Sequence, residues 1–437
     1  MKRRFALFLL SFTLLMTMSV PPAEAASTRV IVRVNGGLPL IKTICLLLQC
    51  TVNYGLGDPA GQVFLVTTGS LLPSTFLSTL RLQLGVISAE LDGWGAIQGS
   101  TGTSVPQALY DSTPVSYFGT TVRRGYVNQP ASQIVGLAAT QSQFNVDGTG
   151  IVAVIDTGVD PGHPALMGVL LPGYDFTRNR ESADEKGDIQ QSTAAVVDGV
   201  QPAWVNQSTA AVVDQSTAAV VDGSQYTAFG HGTMVAGIVH LVAPRAWILP
   251  LKAFDAEGRG YTSDVIRAVY RAVNANARVL NMSFSFSSGS QELSQALKHA
   301  NSKNVICVAS AGNDGKNVAV YPARYSNLVM GVASTTNTDT RSSFSNYGQP
   351  QVWVAAPGEG VVTTYPWGAY AAAWGTSFSA PFVSGAAALL LDVNASAIQS
   401  TTAQSIANAK FISSDLGNGR LDLYQAVAAW RQALGLQ

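Results

Sequence analysis

The stretch Ile151-Val152-Ala153-Val154-Ile155-Asp156-Thr157-Gly158, residues 151–158, decides the fold. Its first five residues form a continuous apolar run, which is typical of a strand that is buried on both faces of a sheet. Asp156 follows this run directly, at the carboxyl end of the strand, where open α/β sheets form their sites. An Asx turn that closes the strand is the simpler explanation of this aspartate when it is considered alone.

Further apolar runs of the same character alternate with helical patterns, at residues 246–251, 278–282, 305–309 and 328–333. An alternation of this kind is typical of α/β proteins in which helices cover both faces of a mostly parallel sheet. We therefore predict a mostly parallel sheet covered by helices over residues 131–432.

The composition of the chain excludes some classes of function. Of its 437 residues, 47% are hydrophobic and 12% are charged, and 26 basic residues balance 26 acidic ones, so no basic surface for nucleic acid is expected. Three cysteines are too few for a disulfide framework. Cys45 and Cys50 are close enough in sequence to pair, and this remains open. Cys307 lies in an apolar run and is expected to be a core residue, not a nucleophile.

Residues 1–25 have the pattern of a secretory signal peptide. Basic residues at positions 2–4 precede an apolar stretch that reaches about Val20, and Ala23-Glu24-Ala25 forms a small-x-small cleavage site. The unbroken apolar run is shorter than the roughly 20 residues that a membrane span needs. We expect a secreted protein with no stable membrane span.

A small α+β unit is predicted for residues 26–98, because strand-like runs at 29–34 and 62–67 flank a helical pattern. The small residues Gly99-Ser100-Thr101-Gly102-Thr103-Ser104 then open a linker that we assign to residues 99–130. This linker is the expected region of any proteolytic maturation.

An eight-residue repeat interrupts the larger domain. The sequence Gln-Ser-Thr-Ala-Ala-Val-Val-Asp occurs at 191–198, 207–214 and 215–222. Solenoid repeats are longer, at about 20 residues or more. We predict a surface insertion at about 180–225, partly disordered and without a chemical role, since long loops add little closure entropy.

His231 has the most distinctive setting of the histidines. It lies between two glycines in Phe229-Gly230-His231-Gly232-Thr233, ahead of apolar residues at helical spacing. This pattern predicts a helix that starts at His231, with room for close approach to the ring. His163, His240 and His299 lack such a setting, so His231 is our candidate for a general base.

Ser377 lies in Trp374-Gly375-Thr376-Ser377-Phe378-Ser379-Ala380-Pro381, which runs into apolar residues at helical spacing. It is therefore expected at the amino end of a helix, where proline is tolerated and developing negative charge is favoured. A helix-capping serine is the simpler explanation of this motif when it is considered alone.

Taken together, Asp156-Thr157-Gly158, His231-Gly232-Thr233 and Gly375-Thr376-Ser377 followed by x-Ser-Ala-Pro resemble the signatures of the subtilisin-like serine proteases, the subtilase family. The chain order Asp, His, Ser is also that of the family. The resemblance spans roughly residues 130–430 and implies a three-layer subtilisin-like domain. It implies that Asp156, His231 and Ser377 form a catalytic triad.

The segment around Asn313 extends the resemblance. Ser310-Ala311-Gly312-Asn313-Asp314-Gly315 is similar to the oxyanion segment of the family, with Asn313 in the place of the amide donor and the Ser377 N–H as the second donor. The resemblance further implies that an extended polypeptide substrate pairs with Asn281–Ser285. The residues that it assigns to substrate binding are Ser283, Phe284, Ser285, Gly312 and Asp314.

The substrate pocket departs from the pattern of the family. Many relatives have leucine and two glycines where this chain has Phe284, Ser285 and Phe286, so we expect these side chains to crowd the pocket. Asp314 is expected near the base of the pocket, where it would favour a basic substrate side chain.

The resemblance also suggests how the chain is made and what it requires. Residues 26–98 are similar to a ferredoxin-like inhibitory propeptide that is later removed, and Arg123-Arg124 is a weak candidate for the cut. We expect a monomer that needs no cofactor and whose partners are polypeptide substrates and its own propeptide. Structural calcium is common in the family, but the four acids of residues 181–188 lack a recognisable ligand spacing, so we interpret them as a solvated loop.

Two other functions are open to the sequence. A lipase or esterase of the α/β-hydrolase type is disfavoured, because that class has Gly-x-Ser-x-Gly and the order Ser, Asp, His. A catalytically silent subtilase-like module that only binds peptides is the second alternative, and the presence of Asp156, His231, Asn313 and Ser377 argues against it.

Overall fold

The computed structural model describes residues 27–69, 72–97, 104–188 and 226–436, together with the backbone of four short strands between residues 194 and 221. The predicted signal peptide lies outside the described residues, as do most of the predicted small-residue connector and much of the repeat insertion.

The amino-terminal part of the chain folds as a small α+β unit. Its elements are β1 (Thr28–Val34), α1 (Gly37–Leu48), β2 (Thr51–Gly55), β3 (Val63–Thr68), α2 (Pro73–Arg81), β4 (Val86–Leu91) and β5 (Trp94–Ala96). The first six follow the β-α-β-β-α-β order of ferredoxin-like folds, and their antiparallel sheet has the strand order β2-β3-β1-β4. We call residues 28–97 the N-terminal unit.

The sheet of the N-terminal unit is apolar on both faces. Val30 and Val32 of β1 pack with the two helices, whereas Ile31 between them joins an apolar cluster of the rest of the chain. Successive strand residues point to opposite faces, so the unit buries one face in its own core and the other against its neighbour. Cys45 and Cys50 form a disulfide between the end of α1 and the start of β2, which resolves the pairing that the sequence left open.

Residues 104–144 already belong to the larger body of the protein, which we call the large domain (residues 104–436). They form β6 (Pro114–Tyr117), β7 (Thr120–Arg123), α3 (Arg124–Val127), α4 (Pro130–Ile134) and α5 (Leu137–Phe144). Tyr117 and Tyr126 are buried, and their hydroxyls donate to the carbonyls of Leu241 (2.5 Å) and Gly237 (2.6 Å). The predicted linker is therefore not a free connector in this part, because its aromatic side chains pack into the core.

The remaining elements alternate between strands and helices. In chain order they are β8 (Ile151–Asp156), β9 (Tyr174–Asp175), β10 (Arg180–Glu181), β11 (Ala194–Val196), β12 (Ala203–Val205), β13 (Ala210–Val213), β14 (Ala219–Val221), α6 (His231–Val242), β15 (Trp247–Lys252), β16 (Arg259–Tyr261), α7 (Thr262–Asn274), β17 (Val279–Met282), α8 (Gln291–Ser302), β18 (Ile306–Ser310), β19 (Met330–Thr335), β20 (Val354–Pro357), β21 (Val361–Tyr365), β22 (Ala369–Ala373), α9 (Thr376–Val393), α10 (Gln399–Ile406) and α11 (Leu423–Ala433).

The central sheet of the large domain has the strand order β10-β9-β15-β8-β17-β18-β19-β20, and its strands are parallel except at the β10 edge. Val152 and Val154 of β8 pack with α6 and α9 on one face. Ala153 and Ile155 pack with α7 and α8 on the other. The predicted three-layer α/β domain with a mostly parallel sheet is confirmed.

The repeat insertion contributes four short strands, two of which join a sheet of the large domain. β13 pairs antiparallel with β22, so that β12, β13, β22 and β21 form one four-stranded sheet, and β11 pairs with β14. The described segments between residues 194 and 221 are thus strands.

Candidate active site

Asp156 and His231 form the first pair of the candidate site. Asp156 ends β8, and its Oδ1 lies 2.7 Å from Nδ1 of His231, the first residue of α6. Both side chains are fully buried. The same Oδ1 accepts the backbone N–H of Thr157 at 2.7 Å. A carboxylate in this place orients the imidazole ring and stabilises its protonated form.

Two glycines allow α6 to begin where it does. Gly230 has φ +84°, and a Cβ there would lie 2.4 Å from the Tyr365 ring. A Cβ at Gly232 would lie 1.9 Å from the Gly158 carbonyl oxygen, in the turn that follows β8. The close approach predicted around His231 is therefore real, and it brings α6 against the end of β8.

Ser377 is the second residue of α9, as expected from its motif. The ring of the next residue, Phe378, packs on the imidazole of His231 with 5.2 Å between ring centroids. The Ser377 Oγ donates to the Ser283 carbonyl at 3.1 Å. Among the described residues, Nε2 of His231 has no hydrogen-bond partner. The three predicted triad residues therefore lie together, with Asp156 and His231 joined and the serine hydroxyl turned towards Ser283.

Asn313 lies beside the start of α9. Its Oδ1 accepts hydrogen bonds from the backbone N–H and the hydroxyl of Thr376, both at 2.9 Å. Its Nδ2 would lie 3.3 Å from a Cβ at Gly375, where the backbone has φ +141°. The bonds to Thr376 fix the amide plane and direct Nδ2 towards the backbone just before Ser377, which suits a donor to an oxyanion.

Gly312 and Ser283 support these groups. Gly312 has φ +94°, and a Cβ there would lie 2.5 Å from Nδ2 of Asn346, so only glycine fits without a shift. Ser283 is fully buried, and its hydroxyl donates to the Ser377 carbonyl at 2.8 Å while it accepts Nδ2 of Asn281 at 2.9 Å. These contacts tie the end of β17 to the start of α9.

A cavity of about 540 Å³ opens beside this site. Ser285, Asp314 and Lys316 are among its lining residues, together with Trp94 and Ala96 of the N-terminal unit. Its lining thus contains the carboxylate of Asp314 and two basic residues, Lys316 and Arg259. The preference for a basic substrate side chain that the sequence suggested stays a prediction.

Phe284 and Phe286 do not line this cavity. Both are buried in the apolar cluster under α7 and α8, and the Phe284 ring packs on Phe254 with 4.7 Å between centroids. The Phe286 ring also lies against β5, because a Cβ at Gly95 would be 2.4 Å from it. The crowding of the substrate pocket by these two side chains stays a prediction.

The acids of residues 181–188 also differ from the prediction of a solvated loop. Glu185 is fully buried, and Asp188 pairs with the fully buried Lys252 at 2.7 Å. Burial raises the pKa of Glu185 to about 8. Sequence reasoning missed Glu185 and Lys252, and its one available signal was a lysine at the end of an apolar strand.

The other candidate residues have structural surroundings. His240 lies 3.1 Å from the hydroxyl of Tyr126, and burial lowers its pKa to about 4. Cys307 is buried in β18, and burial raises the pKa of its thiol, which confirms its prediction as a core residue. Within the described ranges, no group of three or more His, Cys, Asp or Glu side chains is placed to hold a metal ion.

One helix of the described chain is long and apolar enough to cross a membrane, Thr376–Val393. It is 89% buried inside the large domain, as expected of a helix at the centre of a core. Its apolar character is therefore explained by packing around the candidate site.

Comparison with known proteins assigns the large domain. The model of the subtilase family (peptidase S8) matches residues 148–426. Thermitase from Thermoactinomyces vulgaris is 34% identical over 296 residues, which cover 67% of this chain and 93% of thermitase. Subtilisin BL from Lederbergia lenta is 40% identical over 176 residues, which cover 38% of this chain and 65% of that protein.

A solved structure extends the likeness of fold to the N-terminal unit. Fervidolysin from Fervidobacterium pennivorans, described as a keratinolytic enzyme related to subtilisin, superposes with a TM-score of 0.70 at 22% identity. The match covers 93% of this chain and 62% of the fervidolysin chain. With the family match over residues 148–426, these likenesses show that the chain belongs to the subtilase family and is a subtilisin-like serine endopeptidase.

Proposed function

We propose that this chain is the precursor of a secreted serine endopeptidase whose catalytic triad is Asp156, His231 and Ser377. The observation that carries the proposal is the 2.7 Å contact between Asp156 Oδ1 and His231 Nδ1, next to Ser377 at the start of a helix. This arrangement supplies an orienter, a base and a nucleophile for the hydrolysis of peptide bonds in polypeptide substrates.

In the proposed mechanism, His231 Nε2 removes the proton of the Ser377 hydroxyl as Oγ attacks a peptide carbonyl. Nε2 then passes this proton to the leaving amine, and an acyl-enzyme remains on Ser377. Water hydrolyses the acyl-enzyme in a second round of the same proton transfers. The side-chain amide of Asn313 and the backbone N–H of Ser377 stabilise the oxyanion of each tetrahedral intermediate.

The first step requires a small movement of the serine. In the intact chain its hydroxyl donates to the Ser283 carbonyl, so a rotation about χ1 must bring Oγ to Nε2 of His231. Ser377 is 2% exposed and His231 is fully buried. Both residues are thus shielded from solvent in the intact chain, which supports an autoinhibited precursor.

The carboxyl end of the N-terminal unit supplies a candidate for the inhibitor. β5 pairs antiparallel with β16 on one side, and Ala96 exchanges two backbone hydrogen bonds with Ser285 on the other, at 2.9 and 3.0 Å. Ile97 N–H donates to the Gly258 carbonyl at 2.9 Å. An extended substrate would form such a strand between two edges, so we propose that β5 occupies the substrate cleft of the precursor.

Two carboxylates hold the N-terminal unit on the large domain. Glu90 accepts the backbone N–H of Gln291 at 2.8 Å, at the start of α8. Asp92 accepts the backbone N–H and the hydroxyl of Ser263, both at 2.8 Å, in the first turn of α7. Helix starts have unpaired N–H groups and partial positive charge, so both contacts are favourable. They support the assignment of residues 26–98 as an inhibitory propeptide.

The proposed maturation cut lies in the connector after β5. Ile97 is the last described residue of the N-terminal unit, and the chain packs against the core of the large domain from Val105 onwards. Arg123-Arg124 is a poorer candidate, because Arg123 ends β7 and the Arg124 guanidinium is held 2.6 Å from Asp111. N-terminal sequencing of the purified mature enzyme tests this, and a start within residues 98–108 is expected. A start at Arg124 would contradict it.

Secretion is the remaining part of the proposal. It is supported by the signal-like residues 1–25 and by the disulfide between Cys45 and Cys50, since disulfides persist mainly in oxidising compartments. Fractionation of expressing cells should locate the mature enzyme outside the cytoplasm.

Active-site labelling tests the proposed triad. The secreted enzyme should react with a fluorophosphonate and cleave a denatured protein, and both activities should be lost in Ser377→Ala, with hydrolysis reduced by about 10⁴-fold or more. Ser379→Ala is the matched control, because Ser379 lies on the same helix and donates to the Pro357 carbonyl at 3.2 Å. A folded, mature enzyme that is never labelled would instead support a silent peptide-binding module.

A further inference from the structure

Glu185 lies directly behind the proposed triad, at the start of a short 3₁₀ turn that precedes the repeat insertion. Its side chain is fully buried. Its Oε2 accepts the backbone N–H of Gly230 at 3.0 Å and lies 2.9 Å from Oγ1 of Thr157. Its Oε1 accepts the backbone N–H of Thr233 at 3.2 Å and also contacts the Thr233 hydroxyl. Every one of these partners belongs to one of two segments.

The two segments are those that carry Asp156 and His231. Thr157 is the residue after Asp156, while Gly230 and Thr233 bracket the first turn of α6. Thr157 Oγ1 also accepts the N–H of Gly232 at 2.9 Å, so the hydroxyl that meets Glu185 is itself bonded to α6. One carboxyl group thus clamps the turn after β8 to the start of α6.

We propose that Glu185 is a positioning residue for the reaction, which holds Asp156 and His231 in the hydrogen-bonded geometry that catalysis needs. This inference rests on the proposed function of the triad. Glu185 does not reach the substrate and acts only through the two segments that it joins. Its contribution should therefore appear in kcat and not in KM.

A second buried group holds the same turn from its other side. Lys252, also fully buried, donates to the Thr157 carbonyl at 2.8 Å and to the Phe254 carbonyl at 2.6 Å. Asp188, which follows Glu185 in the same short turn, accepts from Lys252 at 2.7 Å. Thr157 is therefore fixed at its hydroxyl by Glu185 and at its carbonyl by Lys252.

Burial raises the pKa of Glu185 to about 8, so its carboxyl group can be protonated at neutral pH. A protonated Oε2 can accept from Gly230 N–H and donate to Thr157 Oγ1 at the same time. The charged and titratable groups that face it are Asp156 and Lys252, with Tyr365 on β21. The clamp needs the carboxyl shape in either protonation state, because both oxygens face backbone N–H groups.

The decisive variant is Glu185→Gln in the full chain. The amide has the same shape, but its NH₂ must face either the Gly230 N–H or the Thr233 N–H, so at least one hydrogen bond is lost. We expect kcat to fall about tenfold with KM unchanged, which corresponds to one buried hydrogen bond. Glu185→Ala removes the whole clamp, and kcat should fall about a hundredfold, the cost of a displacement of about 1 Å at a catalytic group.

Asp175→Asn is the matched control. Asp175 is a fully buried carboxylate on the neighbouring strand β9, and it accepts from Thr177 and Arg178. It therefore tests the general cost of altering a buried acid. Its substitution should lower the melting temperature without a change in kcat greater than about twofold.

Each kcat is calculated per active site, and the concentration of active sites is measured by complete titration with a fluorophosphonate. Misfolded protein is therefore excluded from the comparison. A second readout is the downfield proton resonance of His231 Nδ1–H, which should weaken or shift in the Glu185 variants and stay unchanged in Asp175→Asn. If Glu185→Ala does not fold, Glu185→Gln decides alone.

The inference is overturned if kcat of Glu185→Gln stays within about twofold of the parent value. It is also overturned if Asp175→Asn lowers kcat as much as Glu185→Gln does. If the parent enzyme itself neither labels nor cleaves, it is the proposed function that fails. The two failures are therefore distinguishable within one set of measurements.

Discussion

The N-terminal unit and the large domain bury their apolar residues in different ways. The large domain packs both faces of its central sheet with its own helices. The N-terminal unit covers one face of its sheet with α1 and α2 but places the other, including Ile31 and Leu65, against the large domain. It also has a disulfide between Cys45 and Cys50. A unit of this size has little core of its own, so the disulfide and the neighbouring domain both contribute to its stability.

The two regions also differ in which of them carries the candidate catalytic groups. Each candidate catalytic group is in the large domain, close to a recognisable motif. The N-terminal unit offers no such motif, and only its contacts, the strand β5 and the carboxylates Glu90 and Asp92, indicate what it does. The predictions below test the two regions in turn, from the largest expected effect to the smallest.

Within the large domain, Asn313→Ala should lower kcat by about a hundred- to a thousandfold with little change in KM. The reason is that, in the proposed mechanism, the bond from this amide to the oxyanion forms in the transition state and is absent from the bound substrate. Steady-state kinetics on a peptide substrate measures the effect. Asn317→Ala, an exposed asparagine of the same loop, is the control. A larger change in KM than in kcat would argue against an oxyanion role.

The core of the large domain should become less stable in acid because of His240. The unfolded chain protonates this side chain near pH 6.5, whereas burial lowers the pKa in the folded state to about 4. The unfolded state therefore binds more protons between these pH values, and the free energy of unfolding falls as the pH falls through them, by up to about 3 kcal/mol.

His240→Gln should remove this contribution. Urea unfolding at pH 7 and at pH 4, in the Ser377→Ala background to prevent self-digestion, measures the difference between the two proteins. The pH dependence of the variant should be smaller than that of its parent. Equal pH dependence would mean that His240 stays neutral in both states or is solvated in the folded one.

At the boundary between the two regions, Glu90→Ala with Asp92→Ala should loosen the precursor. Each carboxylate occupies the start of a helix, a contact worth about 1 kcal/mol. Loss of both contacts, about 2 kcal/mol, should increase the population of the open precursor about thirtyfold. The rate at which a fluorophosphonate labels Ser377 in the unprocessed chain measures opening. Glu181→Ala, an exposed acid away from this interface, should leave the rate unchanged. Unchanged labelling in the double variant would contradict the proposed inhibitor.

Within the N-terminal unit, replacing Cys45 and Cys50 by alanine should cost about 2 kcal/mol of its stability, because the disulfide closes only a short loop. The melting transition of the N-terminal unit should fall while that of the large domain stays in place. A reducing agent should have the same effect on the parent and no effect on the variant. A shift of both transitions together would show that the two regions unfold as one.

Much of the fold and of the candidate site was accessible from the sequence. The apolar run ahead of Asp156, the glycines around His231 and the helical spacing after Ser377 are local patterns, and the structure has the expected strand and helices at those places. The likeness to the subtilase family joined them into one site. Local patterns succeed here because each residue of the candidate triad lies at the end of a regular element.

Other features were not accessible from the sequence, because they depend on direction and burial. Neither Phe284 nor Phe286 lines the cavity beside the site, and no local pattern indicates this, because both rings belong to a buried cluster formed by distant segments. The acids of residues 181–188 were expected in solvent, yet Glu185 is buried against segments that are far away in sequence. No local pattern specifies which side of a loop faces the core, since that is decided by the elements that pack on it.

The sequence by itself therefore determined the α/β class, the identity of the candidate catalytic residues and the likeness to a protease family, because motifs and periodicity are local properties. Only the tertiary structure decided that Glu185 joins Thr157 to Gly230, that β5 lies between β16 and Ser285, and that the Ser377 hydroxyl points to the Ser283 carbonyl. The physical reason is that burial and hydrogen-bond partners depend on residues brought together from distant parts of the chain.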